Sequence, residues 1–208
     1  MVGGEVLKAC LEHDEIDKIT SLVRRPSGIE HLKLKEILVE DFCDVSELKD
    51  HFRDVDVAIY CLAAYQGQMS AEEYRRITVD YTKVFATALM QRSPDAVFCL
   101  FSAAGADSKE KSKMQFARDK GAAENYVFAK GFSRAHAFRP AYIYPVVKRE
   151  EPSKLYKLVR ILYPLLRLIY PRGVVRSEHL AKAMLEVGLH GGEKLIYENK
   201  DIRKIQLS

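Results

Sequence analysis

Ser102 and Lys120 are the residues of this 208-residue chain whose types and spacing could support proton chemistry in one cleft. Ser102 follows the continuous apolar run Ala96–Phe101, which predicts a strand buried on both faces. Small residues follow the serine, and they let a ligand approach the backbone. Lys120 lies one turn into a predicted helix that begins near Phe116. Because open α/β sheets bind ligands where their strands end, we expect the hydroxyl and the amine to face one cleft.

Strands and helices alternate along the chain in an order that predicts a parallel sheet. Strands are predicted at 19–23, 35–39, 55–62, 96–101, 135–138 and 194–197. Helices are predicted at 4–11, 46–52, 70–91, from 116 onward and at 177–189. Ser46 and Ser70 are the predicted N-caps of the second and third helices. The alternation indicates a single α/β domain over 1–208, built from βαβ units with right-handed crossovers.

Charge and cysteine content exclude several classes of protein. The net charge is only +4, and basic residues are scattered among nearly as many acidic ones, so we predict no nucleic-acid partner. The four cysteines lie far apart in apolar runs, which predicts reduced core thiols, and we assign no metal ligands. No signal peptide or apolar run of membrane-spanning length is present, so we expect a cytoplasmic protein.

The first residues depart from the pattern of a dinucleotide-binding domain. Such a domain starts with a buried strand and a glycine-rich turn before its first helix, whereas Met1–Gly4 leads directly into the helix. The two glycines fit the end of such a turn, and they equally fit a flexible start. In the usual strand order the absent strand would lie between 19–23 and 55–62, and its loss would leave unpaired backbone on both neighbours. Either the chain is a fragment or the sheet closes the gap in another way.

Seven short motifs in order along the chain carry a resemblance to a known family. They are VRRP at 23–26, LAAYQG, VDYTK, SAAGAD, KGxxE, FRPAYIY and ENKDI. With them the chain resembles the atypical short-chain dehydrogenases/reductases, in the branch similar to the HIV Tat-interacting oxidoreductase-like (NmrA-like/epimerase-like) proteins. The resemblance implies an NAD(P)-binding Rossmann-like fold, doubly wound around a seven-stranded, mostly parallel sheet. It also implies NADP(H) along the carboxyl edge of the sheet and a small helical cap at 148–175 on the substrate side.

The resemblance implies cofactor contacts at the ends of the strands. Gly3 corresponds to the last glycine of the family's GATGxxG turn. Arg24 and Arg25 would clasp a ribose 2′-phosphate, and since an acidic residue is missing there, NADP(H) is favoured over NAD(H). The other implied contacts are Asp41, Phe42, Ala63, Ala64, Lys120, Pro140, Ala141 and Tyr142. All of these positions are also compatible with ordinary strand-end structure.

The resemblance also implies a catalytic serine, tyrosine and lysine, and one of the three is replaced here. Ser102 and Lys120 match the pattern, while Phe116 stands at the tyrosine position and carries no exchangeable proton. A literal YxxxK occurs ten residues later, at Tyr126–Lys130. It leaves too little chain before Arg139 to finish the helix and enter the next strand, so we predict that Tyr126 is a packed helix residue.

Two functions of different classes follow from these residues. The first is an NADP(H)-dependent oxidoreductase acting on a small carbonyl or hydroxyl compound. In it, either Tyr142, Tyr65 or a water supplies the proton, or hydride transfer with the real substrate needs no strong acid. The second is a catalytically silent nucleotide-binding or protein-interaction module, which Phe116 and the absent first strand favour.

The segment 152–171 has apolar residues at helical spacing and basic residues around them. A basic amphipathic helix of this kind can lie on an anionic membrane surface. Since Pro164 should break the helix into short halves, we favour a substrate cap or an oligomer contact over membrane binding. We expect the protein to be a monomer or a homodimer.

Overall fold

The computed structural model describes residues 2–65, 67–144 and 173–207. Its helices are α1 (Val2–Glu12), α2 (Ala71–Arg75), α3 (Tyr81–Arg92), α4 (Gln115–Ala129), α5 (Ser177–His190) and α6 (Asn199–Ile202). A 3₁₀ helix covers Ser46–Phe52, and a π-helical turn at Arg76–Asp80 joins α2 to α3. The strands are β1 (Ile19–Val23), β2 (Leu34–Leu38), β3 (Val57–Tyr60), β4 (Val97–Phe101), β5 (Arg134–Arg139), β6 (Tyr142–Tyr144), β7 (Val174–Arg176) and β8 (Ile196–Glu198). The predicted strands and helices are present with ends that differ by a residue or two, except that the single helix predicted at 70–91 is divided into α2, the π-helical turn and α3.

All strand pairs of the described residues are parallel, which confirms the predicted α/β architecture. The main sheet has four strands in the order β3-β4-β5-β8. Two smaller pairs, β1-β2 and β6-β7, stand apart from it. Because neighbouring strands run in the same direction, their carboxyl ends lie along one edge.

Helices cover both faces of the main sheet, and strand β4 lies between them. Cys99 points to one face, where it packs in an apolar cluster with residues of α1 and α5. Phe98 points to the other face and packs with residues of α3, α4 and the 3₁₀ helix. Since successive side chains of a strand face opposite sides, a strand covered on both faces must be apolar throughout, as Val97–Phe101 is.

The seven-stranded sheet implied by the resemblance is wrong for the described residues. Strand β1 pairs with β2 and β3 pairs with β4, but no described strand joins β1 to β3. This gap lies where the usual strand order places a first strand, and no described strand fills it. The β1-β2 pair is attached by side chains instead, in an apolar cluster around Val39, Phe42 and Tyr81.

Two local predictions need correction. Ser46 does not cap the 3₁₀ helix; the Asp44 carboxylate accepts the Ser46 backbone N–H at 2.8 Å. Aspartate is as good an acceptor as serine for the free N–H groups at a helix start, and here it lies two residues before Ser46. Cys43 is exposed on the turn after β2, so the four thiols, all of them free, do not all lie in the core. Ser70 does cap α2, accepting the Glu73 N–H at 3.1 Å.

Gly121 lies where the loop after β4 crosses α4. A Cβ built on this glycine would overlap the backbone carbonyl oxygen of Asp107. The crossing is fixed by a hydrogen bond from the Asp107 N–H to the Ala117 carbonyl at 2.8 Å. The glycine of the KGxxE motif is therefore explained by close backbone packing.

We expect Gly121→Ala to lower the free energy of unfolding by about 1–3 kcal/mol, since the loop or the helix must move. Gly4→Ala is the matched control, because a Cβ there meets nothing within 4 Å in helix α1. The control should gain up to about 1 kcal/mol from helix propensity. Urea unfolding of both variants measures the difference, and equal stabilities would contradict the close crossing.

The cap and the amphipathic segment lie almost entirely outside the described residues. Of the predicted cap at 148–175, only 173–175 is described. Among the described residues, no helix has both the length and the apolar character needed to cross a membrane.

Candidate functional site

The Lys120 side chain lies at the carboxyl edge of the main sheet, beside the start of α1. Its amine lies 5.7 Å from the centroid of the Phe101 ring, at the end of β4. It also interacts electrostatically with Cys61, which directly follows β3. Cys61 in turn packs against the first turn of α1, since a Cβ on Gly3 would lie 3.4 Å from the Cys61 Cβ. The structure thus brings together Gly3 and Lys120, which are far apart in the sequence.

Lys120 is only 7% exposed, and its surroundings change its chemistry. Burial lowers the pKa of the amine from 10.5 to about 8, and the nearby carboxylate of Glu124 opposes part of that change. Burial also raises the pKa of the Cys61 thiol to about 12, so the neighbouring sulfur is an uncharged thiol at neutral pH. A desolvated lysine of this kind is typical of functional sites, where its amine can bind a ligand hydroxyl.

The front half of α4, which carries Phe116 and Lys120, is anchored to α2. Asp119 is buried and forms an ion pair with Arg75 at 2.5 Å. Gln115 donates from its side-chain amide to the Asp119 carboxylate at 3.0 Å and to the Ala71 carbonyl at 2.6 Å. These contacts fix the rotation of α4 and therefore the direction of Lys120.

Ser102 lies at the end of β4 as predicted, but its hydroxyl is already engaged. The side chain is 1% exposed and donates a short hydrogen bond to the Glu124 carboxylate. Its backbone N–H donates to the Phe138 carbonyl at 2.8 Å. In this arrangement the hydroxyl points to a buried carboxylate.

Glu124 and Arg139 form a buried ion pair that the sequence analysis did not predict. The carboxylate of Glu124 is fully buried and accepts from Arg139 Nε at 3.0 Å and Nη2 at 2.5 Å. The guanidinium also donates to the Ser108 hydroxyl at 2.8 Å and to the Glu198 carboxylate at 3.3 Å. Hydrogen bonding to Glu124 raises the pKa of Arg139. The pair therefore ties α4, the loop after β4 and strand β5 together behind Ser102.

A sequence signal for this pair was available. Glu124 follows Lys120 at i+4 on a helix face that also carries Ala117, Ala123 and Val127, all of them buried. A carboxylate on an apolar helix face requires a buried partner. The arginine of the FRPAYIY motif is that partner.

Phe116 lies half-buried in the first turn of α4, one turn before Lys120. Its ring offers no proton to a substrate oxygen. Tyr126 occupies the other end of α4, where its hydroxyl lies 2.8 Å from the Thr87 hydroxyl and accepts from Lys130 at 3.4 Å. These contacts lower the pKa of Tyr126, the Thr87 hydrogen bond most. The prediction that Tyr126 is a packed helix residue is confirmed, since its ring packs against the cluster between α3 and α4.

The residues implied to bind the adenine end lie shortly after the carboxyl ends of strands β1, β2 and β3. Arg24 and Arg25 are exposed immediately after β1. Ala63 and Ala64 follow β3, with Ala63 exposed and Ala64 half-buried. They leave the backbone open to a ligand.

Asp41 and Phe42 follow β2 but are largely used by the fold. The Asp41 carboxylate accepts the Cys43 N–H at 2.9 Å, and this hydrogen bond lowers its pKa. The Phe42 side chain is 4% exposed and packs on Tyr81 with ring centroids 5.7 Å apart. The Phe42 ring is therefore hidden from a ligand in this arrangement.

Backbone groups of Pro140 and Ala141 also have partners within the protein. The Pro140 carbonyl accepts from the Ala104 N–H at 2.9 Å, and the Ala141 N–H donates to the Asn199 side chain at 3.0 Å. Tyr142 begins β6 and is half-buried. Contacts of this segment with a nicotinamide stay a prediction.

No protein-family model matches the sequence, and no curated protein matches it. Solved structures do match, among them the Bordetella bronchiseptica enzyme WbmH in complex with NAD+, with a TM-score of 0.70 and 17% identity over 95% of this chain and 71% of that one. A short-chain dehydrogenase/reductase superfamily protein from Agrobacterium tumefaciens with bound NAD matches with a TM-score of 0.67 and 13% identity, covering 95% and 74%. The ADP-L-glycero-D-manno-heptose-6-epimerase of Helicobacter pylori matches with a TM-score of 0.64 and 14% identity, covering 95% and 73%. At 13–17% identity these matches show a shared fold, and the chain therefore has a Rossmann-like α/β fold.

Proposed function

We propose that this chain binds NADP(H) and acts as an oxidoreductase of the atypical short-chain dehydrogenase/reductase type on a small carbonyl or hydroxyl compound. The observation that carries the proposal is Lys120, a buried amine at the carboxyl edge of the sheet next to the N-terminal turn of α1. Similar folds that bind NAD support the cofactor class.

The residues present fit a dinucleotide at two places. The N-terminal turn of α1, with Gly3 and Gly4, offers backbone N–H groups and a partial positive charge to a pyrophosphate. Arg24 and Arg25 are exposed at the end of β1, within reach of a ribose 2′-phosphate in this fold. When bound, the nicotinamide would supply or accept the hydride.

Lys120 would hold a ribose hydroxyl of the cofactor through its amine. With a pKa of about 8, this amine is mostly protonated at neutral pH and donates hydrogen bonds. Phe116 has no exchangeable proton, so we expect Tyr65, Tyr142 or a water to supply the proton to the substrate. Loss of one positioned general acid typically costs about 10²–10⁴-fold in rate, which leaves room for slow turnover.

A second candidate is a nucleotide-binding module without turnover. Two observations favour it: Phe116 replaces the general acid, and the Ser102 hydroxyl is bound to Glu124. In that reading Ser102 stabilises the ion pair behind the cleft and does not polarise a substrate oxygen.

Thermal unfolding with and without nucleotide tests the cofactor. We expect saturating NADPH to raise the midpoint more than NADH does, and Arg24→Ala/Arg25→Ala to remove the difference. Lys49→Ala/Arg53→Ala, an exposed basic pair on the 3₁₀ helix and just beyond it, is the matched control and should keep the preference. If NADPH leaves the midpoint unchanged, both candidate functions lose their cofactor.

Once binding is established, Phe116→Tyr separates the two candidates. An oxidoreductase should gain roughly 10²–10⁴-fold in carbonyl-dependent NADPH oxidation when the hydroxyl is restored. A module without turnover should stay silent in this variant while binding NADPH as before.

A further inference from the structure

Two imidazoles and one carboxylate converge where α1 and α5 both end, and a second carboxylate lies beside one of the imidazoles. Ligand atoms of His13, Glu15 and His190 all lie within 4.8 Å of one another. The Nε2 atom of His190 lies 3.8 Å from a Glu15 oxygen and 3.6 Å from a Glu186 oxygen. We propose that His13, Glu15 and His190 form a binding site for a divalent cation of the Zn²⁺ type, and that Glu186, which lies beside His190, moves in as the fourth ligand.

The separations suit tetrahedral zinc. With Zn–N and Zn–O bonds of about 2.0–2.2 Å, neighbouring ligand atoms lie about 3.3–3.5 Å apart. The two distances at His190 Nε2, 3.6 and 3.8 Å, are close to this, while the ligand atoms of His13, Glu15 and His190 lie within 4.8 Å of one another and must move inward to bind one ion. The side chains of His190 and Glu15 are 43% and 63% exposed, so small rotations bring them into place.

The backbone holds the ligand pairs in fixed positions. Glu186 and His190 are four residues apart on α5, so both project from one helix face. His13 and Glu15 share the turn after α1, where the Glu15 N–H donates to His13 Nδ1 at 3.3 Å. That turn is itself anchored, because Lys33 donates to the His13 carbonyl at 2.9 Å.

The electrostatics of this end of the molecule favour a cation. Helices α1 and α5 both finish here, and each contributes the partial negative charge of a helix C-terminus. The carboxylates of Glu15 and Glu186 add negative charge that a divalent ion neutralises. Imidazole ligands select zinc and similar transition metals over Mg²⁺. Two basic side chains border the cluster, Lys33 at the His13 carbonyl and Arg134 beside Gly191, and they moderate the affinity.

A cation at this site would link the turn after α1 to the last turn of α5. The two helices already pack against each other through apolar residues, including Val6 of α1 and Met184 of α5. Since the unfolded chain lacks this arrangement of ligands, binding favours the folded state.

Calorimetric titration of the tag-free, chelator-treated protein with ZnCl₂ at pH 7.5 tests the proposal. We expect one Zn²⁺ per chain and a higher thermal midpoint, with no response to MgCl₂. His190→Ala and Glu15→Gln should each weaken Zn²⁺ binding by more than about tenfold. Mutating a residue that only supports a metal ligand already costs about tenfold or more in metal affinity, and losing a ligand should cost at least as much.

His31→Ala is the matched control. His31 lies in a similar exposed turn, where its Nδ1 accepts the Lys33 N–H at 3.1 Å, but it lies outside the cluster. The control should bind Zn²⁺ as the unaltered protein does. Absence of Zn²⁺ binding, or binding that His190→Ala and Glu15→Gln leave unchanged, overturns the site.

Discussion

Replacing Glu124 with glutamine is expected to lower the free energy of unfolding by about 3–5 kcal/mol, because the buried Arg139 guanidinium then keeps only the half-exposed Glu198 carboxylate, 3.3 Å away, as a counter-charge. The carboxylate is fully buried and accepts hydrogen bonds from Arg139 and Ser102. Glutamine keeps the shape of the side chain and removes its charge. Urea unfolding with an unchanged m-value would measure the loss as a shift in midpoint.

An exposed ion pair in the same protein is the control. Glu178 lies 3.7 Å from Arg176, and their side chains are 49% and 60% exposed. Glu178→Gln should cost at most about 1 kcal/mol. The double variant Glu124→Leu/Arg139→Met should be more stable than Glu124→Gln, since the only partner it leaves unpaired, Glu198, is half-exposed and can be solvated. If Glu124→Gln and Glu178→Gln lower the free energy of unfolding equally, the buried pair does not stabilise the site.

Replacing Lys120 with methionine is expected to stabilise the protein and to abolish its response to NADPH. Lowering the pKa from 10.5 to about 8 means that the charged, buried amine lowers the free energy of unfolding by about 3 kcal/mol. Methionine has a similar volume and carries no charge. The variant should therefore unfold at higher urea at pH 7, as expected where a functional group destabilises its own fold.

The pH dependence identifies the cause of this stabilisation. Below pH 8 the lysine is charged in both the folded and the unfolded states, and the whole cost of burial is present. Between pH 8 and 10.5 the folded state loses the proton first, so the unaltered protein gains stability as the pH rises. Its difference from Lys120→Met should shrink through this range and vanish above it.

Lys8→Met, on the exposed surface of α1, is the control and should change stability by less than about 0.5 kcal/mol at any of these pH values. A stability gain in Lys120→Met with undiminished NADPH binding would show that the amine does not contact the cofactor. A pH-independent gain would mean that the added apolar contact, and not the lost charge, is responsible.

The positions of the strands and of Lys120 could be predicted because they depend on local patterns. A run such as Val97–Phe101 is apolar at every position only when both faces of the strand are covered. The order of strands and helices then places the ends of β3 and β4 on one edge of the sheet. Lys120 reaches that edge because it lies one turn into the helix that follows β4.

The direction of the Ser102 hydroxyl could not be predicted from its strand alone. It depends on Glu124 in α4, and the position of Glu124 depends on Arg139 at the end of β5. The same holds for Phe42, whose burial results from packing on Tyr81, a residue of a distant helix. The spacing of residues within one segment does not show which side chains of another segment they will contact.

The gap between β1 and β3 has a consequence for how the protein opens. The β1-β2 pair shares no backbone hydrogen bonds with the main sheet in the described residues and is attached by side chains around Val39, Phe42 and Tyr81. Such a unit can detach without unfolding the rest, so its amide hydrogens should exchange with solvent earlier than those of β4 and β5. Arg24 and Arg25 directly follow β1. A dinucleotide that binds both these arginines and Lys120 would therefore link the β1-β2 pair to the main sheet and slow amide exchange in β1 and β2.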